Sequence, residues 1–291
     1  MKVFRISFLA LILGLSYSFS YGQVDEEVTE SSELEDTSAY MDDIVPRQMV
    51  PEQRVLAYEP IREADIVWTK RVWRVLDTRE KMNIAFMEPN RYFFQVLLDL
   101  ARNGDVKIFA KDDFKRVVLN DELEKMLYKI DTQSVWDPET YIEEIKVIRN
   151  DINPEDIQKY RIKEMWYFDK ESARLQCRIL GIAPIKDERD LTTGEIKYSG
   201  PMFWVYYPEV RKYLTKERVF NDKNDSAPMT WADIFDGRFF SSYIFKESNV
   251  LDYRLEDFFA GEDENAGVKM LLESERIKNE LLNFEHDLWV Y

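Results

Sequence analysis

The sequence predicts an α+β protein, with helices flanking a small antiparallel β-sheet and a disordered acidic N-terminal tail ahead of them. Helical periodicity recurs at both ends of the body, and strand-like runs with short connections occupy its middle. The region before the body carries many like charges and little to bury.

Residues 1–22 read as a signal peptide. Lys2 and Arg5 precede an apolar run over residues 8–15, and Ser20-Tyr21-Gly22 has the small-x-small form of a cleavage site. The run is well short of the roughly 18 residues needed to span a bilayer, so the cut is placed before Gln23. No cysteine near the cut offers a point for lipid attachment, and no later segment is apolar enough to span a membrane. Residues 23–50 form the tail. Its first part, residues 23–45, holds nine acids, from Asp25 to Asp43, and no Lys or Arg. Like charges repel along it, which predicts a solvated leader, the alternative being a docking arm for a basic partner.

The body, residues 51–291, is one large domain or two lobes, 51–158 and 159–291. Pro60 opens a segment in which Ile61, Ala64, Trp68, Val72 and Val75 recur at helical spacing. Glu63 and Asp65 stand at its start and Arg79 and Lys81 at its end, which predicts a helix over residues 60–81. After Glu88-Pro89-Asn90 a second helix, capped by Asn90, carries Phe93, Val96, Leu97 and Leu100 and stops at Asn103-Gly104. A short strand over 106–109 and a helix over 121–129 follow. Residues 161–169 and 172–182 then read as a hairpin about Asp169-Lys170-Glu171, with a turn at Leu191-Thr192-Thr193-Gly194 and a third strand over 201–207. Thr230 is placed to cap a helix beginning at Trp231, and a last helix starts near Ala266 with Met270, Ile277, Leu281, Phe284 and Leu288 on one face.

Charge and chemistry exclude several classes of function. The formal charge is -16, and removing Lys2 and Arg5 makes it more negative still, so neither nucleic acid nor anionic lipid is an expected direct partner. The single cysteine, Cys177, lies at an alternating position of a strand and reads as an inert thiol without a disulfide partner. The single histidine, His286, has no local partners for a triad or a zinc site. No GxSxG, phosphate-binding glycine loop or HExxH is present. The acidic cluster Gly261-Glu262-Asp263-Glu264-Asn265 lacks the spacing of a calcium loop. No catalytic residue, cofactor or metal site is expected.

The sharper signal is a basic, aromatic strip on the first predicted helix. Trp68 belongs to its core stripe, whereas Trp73 lies about 140° around and is flanked by Arg71 and Arg74. Trp68, Lys70, Arg71, Trp73 and Arg74 are therefore candidate interface residues. The alternative is that Trp73 packs under a neighbouring part of the body.

The stretch from Arg62-Glu63-Ala64-Asp65 through Trp68-Thr69-Lys70-Arg71-Val72-Trp73-Arg74 to Lys81-Met82-Asn83 resembles the signature of GldN/PorN proteins. The resemblance continues at Trp166-Tyr167-Phe168, Gly181-Ile182-Ala183-Pro184, Phe203-Trp204-Val205-Tyr206-Tyr207-Pro208 and Met229-Thr230-Trp231-Ala232-Asp233-Ile234-Phe235. It implies a periplasmic, non-enzymatic subunit of the type IX protein secretion machinery, supporting export and gliding motility. The implied partners are a GldK/PorK-like lipoprotein, with which it self-associates in a ring under the outer membrane, and a GldM/PorM-like motor subunit. Asp225-Ser226-Ala227 has the form of a short O-glycosylation site of exported proteins in some gliding bacteria. Two rival readings are a freestanding periplasmic binding protein or chaperone, which requires a deep aromatic pocket, and a carboxylate-based hydrolase, which requires two converging acids.

Overall fold

A computed structural model describes residues 55–136, 143–189, 196–224, 227–259 and 265–287. The signal peptide, the acidic tail, the turn at 191–194, Asp225-Ser226, residues 261–264 and Leu288 lie outside the described residues. Residues Pro51–Tyr291 form one compact unit.

The first regular element corrects the sequence reading. Residues 60–81 are not a helix: a single 3-10 turn at Glu63–Asp65 leads into strand β1, Ile66–Asp77. Seven of its twelve residues, Ile66, Val67, Trp68, Thr69, Val72, Trp73 and Val75, are β-branched or aromatic, which favours a pleated strand. Its apolar residues mimicked helical spacing because the strand is covered on both faces. Val72, Trp73, Arg74, Val75 and Leu76 are all buried in succession, so no two-residue alternation is visible there.

A 3-10 segment, Lys81–Met87, connects to helix α1, Phe93–Arg102. Asn90 does not cap it; Tyr92 occupies that position without a side-chain bond to the helix. Gly104 at φ 74° ends it as expected, with the Asp105 N–H donating to the Leu100 carbonyl at 3.1 Å. Strand β2, Ile108–Phe109, and helix α2, Asn120–Leu127, precede a ribbon of β3, Tyr128–Trp136, and β4, Glu143–Asp151. Next come β5, Lys159–Asp169, and β6, Arg174–Arg189, joined by the hairpin the sequence predicts. Then follow β7, Ile196–Pro201, β8, Trp204–Tyr206, helix α3, Tyr207–Leu214, and the short strands β9, Arg218–Val219, and β10, Met229–Thr230. Helix α4, Trp231–Asp236, starts at a reciprocal cap: Thr230 N–H donates to the Asp233 carboxylate at 2.9 Å, and Asp233 N–H to the Thr230 hydroxyl at 3.3 Å. Strand β11, Tyr243–Glu247, helix α5, Leu255–Phe258, and helix α6, Ala266–Asp287, are the last elements among the described residues.

The main sheet has seven strands in the order β11-β1-β5-β6-β8-β2, with β7 beside β6, and every pairing in it is antiparallel. A division at 158/159 would separate β1 from both of its neighbours, β5 and β11. Over Leu76, Tyr160, Ile162 and Ile182 the sheet packs against α1, α3 and α4 through a core rich in rings, including Phe86, Phe93, Trp231 and Phe235. Further along β1, Val72 and Ile244 pack with Ile277 and Leu281 of α6. The outer edge of β11 is shielded too, because the Ile244 N–H donates to the buried Ser274 hydroxyl of α6 at 2.7 Å.

Candidate protein interface

The structure divides the five strip residues between positions inside the fold and positions on its surface. Trp73 is 7 % exposed. It packs with Ala183, Trp204, Phe109, Phe114 and Phe245, donates its indole N–H to Asp112 Oδ2 at 3.0 Å, and carries Lys246 Nζ 4.8 Å above its ring. Trp68 stacks on Phe284 of α6 with centroids 4.6 Å apart. Lys70 reaches Glu247 at 2.8 Å. Arg71 alone of the five is exposed, its main chain tied to Ser248 while its guanidinium has no ion pair among the described residues. The aromatic and basic character of the strip is thus largely spent within the chain, because a strand buried on both faces turns residues that a helix would present into core.

Arg74, 5 % exposed, shows most clearly why. Its Nε donates to Glu164 Oε2 at 2.9 Å, and Glu164 is wholly buried on the adjacent strand β5. Glu164 also accepts from Arg238 Nη2 at 2.9 Å and from the Trp166 indole N–H at 3.0 Å, so a carboxylate removed from water is matched by three donors. Arg238 is held in this position by an unusual backbone state, φ 55°, at the end of α4. The preceding residue must be glycine, since a Cβ on Gly237 would stand 2.8 Å from the Asp233 carbonyl oxygen. Arg238 Nη1 lies 3.2 Å from Cys177 Sγ. Burial pushes the Cys177 thiol well above its usual range, and the Glu164 charge adds to the effect. Cys177 is therefore a protonated, poorly nucleophilic thiol beside a structural ion cluster. His286 is exposed, with Asp287 3.9 Å away. Among the described residues no group of three or more His, Cys, Asp and Glu is placed to hold a metal ion.

Two other features lie apart from this cluster. The first is an apolar knuckle between β11 and α5. Val250 is fully exposed, Leu251 is 63 % exposed and Phe258 52 %, with the Tyr253 ring 5.6 Å from that of Phe258. This knuckle is held by a built turn. Asn249 accepts the Tyr253 N–H at 2.9 Å and donates to the Tyr253 carbonyl at 2.7 Å, while Lys246 pairs with Asp252 at 2.6 Å. The turn sets Val250 and Leu251 side by side at the surface as adjacent exposed apolar side chains. The sequence reading missed it, although two aliphatic residues between Asn249 and Asp252 were a visible signal. The second feature is the β3–β4 ribbon, which runs in register from Tyr128↔Asp151 to Trp136↔Glu143 as a two-stranded sheet separate from the main one.

These observations describe an α+β protein with a buried Arg74–Glu164–Arg238 ion cluster and an exposed apolar knuckle at Val250 and Leu251. The chain belongs to the GldN family: it matches the gliding motility associated protein GldN over residues 61–290. No curated protein matches the chain. Family membership makes it a gliding-motility-associated component, and among the described residues no helix is long and apolar enough to cross a membrane.

Proposed function

We propose that this chain is a non-catalytic, periplasmic subunit of the type IX secretion machinery, assembling in a ring with a GldK/PorK-like lipoprotein and meeting a GldM/PorM-like motor subunit. The observation that carries the reading is the family match across nearly the whole body. Attachment at the outer membrane through that lipoprotein is part of the same proposal.

Support for an assembly role comes from the exposed knuckle. Val250 and Leu251 lose little by remaining exposed in a monomer and gain about 25 cal/mol per Å² when covered. Tagged chain recovered from envelope extracts is expected in particles larger than a monomer, together with the lipoprotein. Recovery as a lone monomer would overturn the proposal. Val250→Ser with Leu251→Ser is expected to keep stability within about 0.5 kcal/mol and to weaken assembly.

A further inference from the structure

Beneath the N-terminal turn of α6 lies a cleft of 530 Å³ on the side of the sheet opposite the ring-rich core. Its floor is apolar, with Val75, Ile185, Phe245, Phe259 and Met270, and its polar groups are dominated by cations. Lys159 is already paired with Asp187 at 3.1 Å. Arg161 and Arg254 have no ion pair among the described residues, and Glu256 is the acid lining the same cleft.

Arg161 is the unusual member. Its guanidinium sits 4.3 Å above the Phe245 ring, and its Nε is buried with no hydrogen-bond partner. Burial lowers its affinity for a proton, and the like charge of Arg254 lowers it further. A strongly acidic chain has many carboxylates with which to neutralise such a pair, yet this pair is left facing an open cavity. An orphaned buried donor costs free energy; the guanidinium that carries it lines the cleft together with Arg254, so a carboxylate entering there meets two cations that have no ion pair among the described residues.

We propose that this cleft binds an organic carboxylate carried on an apolar body, with Arg161 and Arg254 holding the carboxylate and the floor holding the body. The apolar floor disfavours a bare inorganic anion, which would leave it empty, and Glu256 disfavours a dianion more than a monoanion. The volume is within the range of small-ligand sites. This inference stands apart from assembly, because it concerns the isolated chain.

The test is isothermal titration of the purified chain with four probes: 4-phenylbutyrate, the peptide acetyl-Leu-Phe with a free C-terminal carboxylate, the same peptide as its amide, and inorganic phosphate. Binding of either carboxylate, at least about tenfold tighter than the amide and phosphate, supports the proposal, and the tighter of the two tells a peptide terminus from a free organic acid. Arg161→Gln should reduce that binding about tenfold or more. Arg254→Gln should do the same while raising the melting temperature of the free chain, since it relieves repulsion on Arg161; that pair of effects distinguishes a binding residue from one that merely supports the fold. Equal binding of phosphate and the carboxylates overturns the assigned ligand class. Absence of binding by both carboxylates overturns the site. So does carboxylate binding that appears only after Glu262→Gln, Asp263→Asn and Glu264→Gln are combined, because the chain's own acids would then be the occupant.

Discussion

Replacing Glu164 with alanine is the most direct probe of what holds the sheet to the helices behind it. The change removes the shared acceptor of Arg74, Arg238 and the Trp166 indole. Arg74 is 5 % exposed, so its guanidinium is left charged, enclosed and unpaired. Breaking a buried pair of this kind costs about 3–5 kcal/mol. Arg238 has a third of its side chain exposed and regains water, which places the expected loss near the lower end, about 3–4 kcal/mol. At about 2–4 °C per kcal/mol for a domain of this size, the melting temperature falls by roughly 6–16 °C. Urea unfolding of the purified chain measures the loss directly. A change below about 1 kcal/mol would refute the reasoning, since it would mean that the cluster only breaks even with water. A second variant separates causes: Glu164→Leu combined with Arg74→Met removes the orphaned charge with its partner and should recover most of the stability. If it is as unstable as Glu164→Ala, the loss comes from packing and not from the ion cluster.

Three further outcomes are expected. Trp73→Ala should destabilise the chain by about 3–5 kcal/mol in urea, since the ring fills a core contact; a loss under about 1 kcal/mol would restore Trp73 as a surface residue. Hydrogen bonding from Ser172, with the Glu171 and Ser172 backbone N–H groups, holds the Asp169 carboxyl below its usual range. Its stabilisation of the β5–β6 hairpin is therefore present above the unfolded pKa and lost as pH falls through the lower folded value. Thermal melts from about pH 6 to about pH 2 should show Asp169→Ala to be less acid-sensitive than the parent, and equal sensitivity would contradict this. Cys177 should react slowly with a thiol reagent in the native chain and quickly in denaturant, whereas fast native labelling near pH 8 would mean that its thiolate is accessible.

Where local chemistry decided the structure, the sequence was readable. Gly104 ended α1, the Thr230–Asp233 pair opened α4, and Asp169-Lys170-Glu171 turned the hairpin, because each depends on groups only a few residues apart. Strand β1 was misread for the opposite reason. Its identity depends on β5 and β11, which pair along its two edges and whose paired residues lie some ninety and more than a hundred and sixty positions away, and on distant elements that pack over its faces. Trp73 and Arg74 of the strip turn inward with it, while Arg71 stays exposed. Arg74 looked like a surface charge because Glu164, the carboxylate that permits its burial, is 90 residues distant and unremarkable in an acid-rich sequence. The cleft was equally invisible, since Arg161 and Arg254 stand on different elements and meet only through the packing of α5 against the sheet.

Arg74 and Arg238 both turn inward onto the buried Glu164, so their charges are matched within the body of an acidic chain. Two such bodies therefore repel at long range, and the contact proposed at the apolar knuckle acts only at short range. Added salt screens the repulsion and leaves apolar burial intact, so self-association through the knuckle should strengthen with ionic strength. Carboxylate binding in the Arg161–Arg254 cleft has the opposite sign, because salt screens the attraction that drives it. One salt titration thus separates the two: association that weakens with salt would place the contact on charges, and the Val250–Leu251 surface would lose its role.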